Sequence, residues 1–214
     1  MAHLDTIPPE QLRKVSDEIS SLVFKPAVQP FDLELVDREI GPPAEESPVH
    51  LNPTMTIWKL KTETFAVLAR TVPEGDLVDW VEPTNLLYHQ IRFNDELVAS
   101  ARSWSKPSEL PALAQIGVTT DFSSRVDETV KFIEQENESS AFMKDDPVAR
   151  LLEIPSHQVF VIWLYVEKHR ESRVVVVQVP EERNRLPLET FLTSQDLFQA
   201  LHQSGPLGGV QDDA

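Results

Sequence analysis

The chain contains no cysteine. Disulfides, thiolate nucleophiles and thiolate metal ligands are excluded together. Glycine is scarce: there are six, three of them at Gly205, Gly208 and Gly209 near the C-terminal end. No glycine-rich loop remains to bring backbone amides against a phosphate. Walker A, dinucleotide and Gly-x-Ser-x-Gly patterns are all missing. Long apolar runs are missing too. The longest is Val159 to Val166, far short of the roughly twenty residues that span a bilayer. The opening Met1-Ala2-His3-Leu4-Asp5 has no basic stretch leading into an apolar run, so a secretory signal is not expected. A cytoplasmic protein without membrane contact is the expectation.

Positive charge is the other shortage. Nineteen Lys and Arg face 35 Asp and Glu, a net charge of −16. Such a surface repels phosphate backbones and attracts cationic partners. Nucleic acid is not expected as a partner. A basic protein is, unless the chain imitates nucleic acid and fills another protein's basic groove. The apolar share is 41% over 214 residues, ample for a folded core.

Pro8, Pro9 and Glu10 suit the first turn of a helix, and Leu12, Val15, Ile19, Leu22 and Val23 give it one apolar face up to Pro26. Phe31, Leu33 and Leu35 alternate with acids as in a half-wet strand. Residues 41–53, with four prolines, read as a surface loop. Hairpins are expected at Met55–Lys61 with Thr64–Val72, and across residues 86–104. Residues 76–82 suit a single helical turn, and residues 105–120 an irregular stretch. A helix is expected from near Ser124, with Asp127 as its capping-box partner. Asp146-Pro147 suggests a short helix ending before Pro155. Val159–Val166 and Val174–Val177 lack polar alternation, the mark of strands buried on both faces. Thr193 and Asp196 set a capping box for a last helix, Gln195 to His202.

These readings give an α+β fold: a mostly antiparallel sheet built from hairpins, with about three packed α-helices. One domain over residues 1–204 is expected, then a loose tail over 205–214. An internal echo suggests duplicated halves, 1–105 and 106–204. Ile57-Trp58 opens a segment closing at Val72-Pro73-Glu74, and Ile162-Trp163 opens one closing at Val179-Pro180-Glu181.

The hairpin at 86–104 carries the candidate site. A three-residue loop, Asn94-Asp95-Glu96, pairs Phe93 with Leu97, Ile91 with Ala99 and His89 with Ala101. One face is then apolar, and the other collects Tyr88, Gln90, Arg92, Ser100 and Arg102. Two arginines there could hold a carboxylate or phosphate. Trp80, set among Asp76, Asp79 and Glu82, is the candidate partner anchor. The six His lack metal-binding spacing, so neither metal nor cofactor is expected.

The expected function is non-enzymatic: an acidic binding, chaperone-like or regulatory protein with a protein partner. A homodimer is one expectation. The element order resembles, in architecture alone, that of small acidic secretion-type chaperones. The alternatives are a small-molecule enzyme gripping an anion through Arg92 and Arg102, with His89 or Tyr88 as acid/base, and the nucleic-acid mimic.

Overall fold

The computed structural model describes residues 3–4, 49–93, 96–104, 113–118, 121–136, 141–180 and 186–206. The expected helix near the N-terminus, the strand at 31–35 and the tail beyond residue 206 lie outside these.

The strands are β1 (His3–Leu4), β2 (Val49–Leu60), β3 (Val81–Phe93), β4 (Glu96–Trp104), β5 (Leu113–Val118), β6 (Val148–Ile154), β7 (Val159–Val166), β8 (Glu171–Gln178) and β9 (Leu192–Thr193). The helices are α1 (Thr62–Leu68), α2 (Asp121–Glu136) and α3 (Ser194–Ser204). All the strands join one mixed sheet, in the order β5-β4-β3-β2-β6-β7-β8-β9. The α+β class and the largely antiparallel sheet follow directly.

Two antiparallel meanders, β2 to β5 and β6 to β9, run outward from a parallel seam where Ile57, Trp58 and Lys59 pair with Leu151, Leu152 and Glu153. Beside that seam β1 also pairs in parallel with β6, His3 opposite Val148.

Central strands are apolar throughout because both faces are covered. On one face Ala149, Leu151, Ile162, Leu164, Val175 and Val177 pack with Val126 and Ile133 of α2. On the other, Leu152, Ile154, Val161, Trp163, Val174 and Val176 pack with Leu68 of α1 and Leu197, Phe198 and Leu201 of α3. The alternation along β6, β7 and β8 sends every second side chain to each core.

Three expected elements take another form. Thr64–Val72 is not a strand: Thr62–Leu68 is helical, and Thr64 and Leu68, one turn apart, are its buried residues. The echo at Ile57-Trp58 therefore has no hairpin on its first side. The expected short helix before Pro155 is the strand β6, while Asp146 adopts φ 60° just ahead of it. Ala, Arg, Leu and Glu favour a helix in isolation, but pairing to strands on both sides overrides that preference. Residues 113–118, expected to be irregular, form β5, and the loop expected at 41–53 is already strand from Val49.

Helix α2 begins at Asp121, so Asp127 lies inside it and is no capping residue. The helical turn expected at 76–82 is a 3-10 turn, Leu77–Asp79. The capping box of α3 is present: the Thr193 hydroxyl accepts from the Asp196 amide at 3.1 Å, and the Asp196 carboxylate accepts from the Thr193 amide at 2.9 Å. Among the described residues no helix is long and apolar enough to cross a membrane.

Candidate functional site

The register of β3 with β4 decides which side chains share a face. Ile91 pairs with Ala99, Gln90 with Ser100, His89 with Ala101 and Tyr88 with Arg102. Nearer the tip Arg92 pairs with Leu97 and Phe93 with Glu96, because a bulge intervenes between Ile91 and Arg92. A three-residue loop would have set Phe93 opposite Leu97; the bulge takes up that residue at Val98 instead.

Tyr88, Gln90 and Arg92 therefore lie on the face that α2 covers. Gln90 is fully buried, and its amide donates to the Ser123 carbonyl at 3.0 Å. Tyr88 packs edge-on against Phe122, 5.9 Å between ring centres, and Phe122 does the same against Phe160. Arg92 forms an ion pair with Asp127 of α2, and its Nε donates to the Asn52 carbonyl at 2.9 Å. Asp127 also receives Lys131 at 2.8 Å.

Arg102 reaches the other way. Its Nη2 meets Glu153 of β6 at 2.6 Å, although β3 and β2 lie between the two strands. The Glu153 side chain is only 13% exposed, against 31% for Arg102. Burial raises the Glu153 pKa, and Arg102 opposes that rise. The Tyr88 hydroxyl is buried without a well-formed hydrogen bond, and burial pushes its pKa up to about 12. Gln90, Ser100 and Arg102 are near enough to act against that shift. A phenol held neutral, a guanidinium and a carboxyl held towards its neutral form thus lie on one face.

All five candidate residues share this layer, but neither arginine projects into solvent alone. Asp127 and Glu153 are the site residues that sequence reasoning missed. They lie 35 and 51 residues from their arginines, and no local spacing announces such pairs.

The opposite face of the hairpin is apolar with one polar centre. His89 is fully buried beside Leu87, Ile91 and Ala101. Its Nδ1 lies 2.9 Å from the Thr54 hydroxyl and its Nε2 lies 2.7 Å from the Ser103 hydroxyl. Burial lowers its pKa to about 4. Hydroxyls flank the ring on both sides, and no carboxylate hydrogen-bonds to it among the described residues. His89 and Tyr88 therefore point to opposite faces of β3, and cannot serve one substrate together.

Trp80 is half-buried. It packs edge-on against Phe198 of α3, and its indole N–H donates to the Glu74 carbonyl at 2.9 Å. Among the described residues no three His, Asp or Glu converge as a metal site. Comparison of the chain with protein-family models, curated proteins and solved structures finds no match. The functional reading rests on the geometry above.

One further cation is turned inward. The Arg150 guanidinium stacks 4.5 Å from the centre of the Trp58 ring and 4.7 Å from that of Trp163, with Tyr165 at 5.5 Å. Delocalised, weakly hydrated charge suits this aromatic setting.

Proposed function

We propose that the protein is a non-enzymatic binding protein, chaperone-like or regulatory, whose partner is a protein with a basic surface. The observation that carries this reading is the direction of its arginines. Arg92 is held by Asp127, Arg102 by Glu153, and Arg150 by three aromatic rings. Cations committed to internal contacts leave the exterior more acidic than an even mixture of the same residues would be. With a net charge of −16, such an exterior speeds encounter with cationic partners and repels phosphodiesters.

The test is recovery of the whole chain with its partner from its own host, at low ionic strength and again near 1 M salt, where the Debye length shrinks to about 3 Å. A basic protein retained in stoichiometric amount at low salt and released at high salt is expected. Recovery of no such protein, or of one indifferent to salt, overturns the proposal.

A second reading, an enzyme or binder acting on a small anion, draws on the Tyr88 hydroxyl, which is buried near Arg102 without a well-formed hydrogen bond. An anion would have to take the place of Glu153 on Arg102. Thermal stabilisation by phosphate or citrate that is lost in Arg102→Met would favour this reading over the first.

A further inference from the structure

The two ends of the sheet are finished differently. At one end β9 has two residues, runs straight into α3, and is flanked by a bridge from Leu188 to Val176. At the other end lies β5, Leu113-Ala114-Gln115-Ile116-Gly117-Val118, which among the described residues pairs only with β4. A strand in that position presents a row of unpaired amides and carbonyls. Monomeric proteins blunt such edges with lysine, proline or inward-pointing charge. The chain is 25% charged and holds 17 prolines, yet β5 has neither. Its one irregularity, a bulge opposite Arg102 and Ser103, lies towards its beginning and leaves Gln115 to Val118 in regular register.

We infer that β5 is a dimerisation edge, pairing antiparallel with β5 of a second copy of this chain. The composition selects this occupant. A basic segment drawn to an acidic protein would find no carboxylate on β5. The chain's own strand-like stretch at Phe31–Leu35 carries Asp32 and Glu34. A second β5 is uncharged, has the same length, and relieves the self-repulsion problem by meeting a neutral edge with a neutral edge.

Side-chain alternation constrains the register. Directly opposed residues in an antiparallel pair must lie on the same face. A two-fold axis perpendicular to the sheet therefore passes beside a residue, not between two. Gln115 suits that place: it is exposed, and as the register partner of Arg102 it lies on the α2 face. The axis keeps that face on the same side in both copies. Two Arg102–Glu153 pairs then share one face of a continuous sheet. Each copy offers one such edge, so the assembly closes at two and does not grow into a filament.

Sedimentation of the whole chain from micromolar to near-millimolar concentration tests this, alongside hydrogen exchange. A monomer–dimer equilibrium is expected, with amides of 113–118 gaining protection as dimer forms. Gln115→Lys places like charges against each other at the axis and raises the dissociation constant about tenfold or more; Gln115→Thr retains the dimer. A chain that stays monomeric, a dimer indifferent to Gln115→Lys, an open-ended polymer, or 113–118 amides equally protected at every concentration would each overturn the inference. The exchange measurement on the unaltered chain decides the matter even if Gln115→Lys fails to fold.

Discussion

Glu153 and Arg102 meet at 2.6 Å across two intervening strands, β3 and β2. The contact ties the seam strand β6 to the outer part of the first meander. It also leaves a carboxylate in a setting where burial outweighs its cation.

Breaking that pair from its two sides should give unequal results. Arg102→Leu leaves the largely buried Glu153 carboxylate without its cation, and should cost about 2 kcal/mol, less than a fully buried pair because the guanidinium is partly solvated. Glu153→Gln keeps an acceptor for Arg102 and should cost less. Urea midpoints for both variants and the double variant should show a coupling of about 1 kcal/mol. Simple additivity would mean that the two side chains do not support each other.

His89 makes stability depend on pH with a defined sign. Its folded pKa, about 4, lies below the ordinary value of 6.5. The folded state thus favours the neutral ring, and the unfolded chain binds the proton first as pH falls. Stability is complete above pH 6.5 and drains away between 6.5 and 4, by about 3 kcal/mol at 1.36 kcal/mol per unit. Denaturation of the native chain and His89→Gln at pH 7.5 and 4.5 should show the native chain losing more over that interval. Equal losses would show that the ring does not resist protonation.

Asp76 joins three elements through one carboxylate. It accepts from the Ser172 amide at 2.9 Å, the Ser172 hydroxyl at 2.5 Å and the Ser194 hydroxyl at 3.3 Å. Ser172 in turn accepts from the Trp163 indole at 2.8 Å. Asp76→Ala strands several partly buried donors and should cost about 2–4 kcal/mol. The same variant should move Trp163 fluorescence. Loss of under about 0.5 kcal/mol, the range of ordinary surface substitutions, would contradict the role assigned to it.

The start of α3 offers a separate check. Thr193→Ala removes the hydroxyl that caps the Asp196 amide, and should cost about 1 kcal/mol. Thr193→Ser should recover most of it. Two equally damaging substitutions would point to lost packing of the methyl group.

What could be read in advance follows from where the information lies. Val159–Val166 declares burial on both faces in its own residues, and Thr193 with Asp196 declares a helix start three positions apart. By contrast, Val148–Ile154 and Thr62–Leu68 carry preferences that point away from what they form. Their conformation is set by neighbours: β6 by β2 and β7, α1 by the packing of Leu68 beneath α3. The candidate face was legible as a face, because alternation fixes Tyr88, Gln90 and Arg92 together. That α2 would cover it, bringing Asp127, was not, since nothing near Arg92 in the chain encodes that helix's position.

The seam between β2 and β6 has a consequence for how the molecule comes into being. On the ribosome, β2 emerges long before Leu151, its partner at Ile57. The first meander must wait with an inner edge open while α2 and the following turn are synthesised, and only then can the second half dock. Pairings between such distant stretches form slowly and leave sticky intermediates. Production of this chain should therefore be most vulnerable in the interval before β6 leaves the exit tunnel.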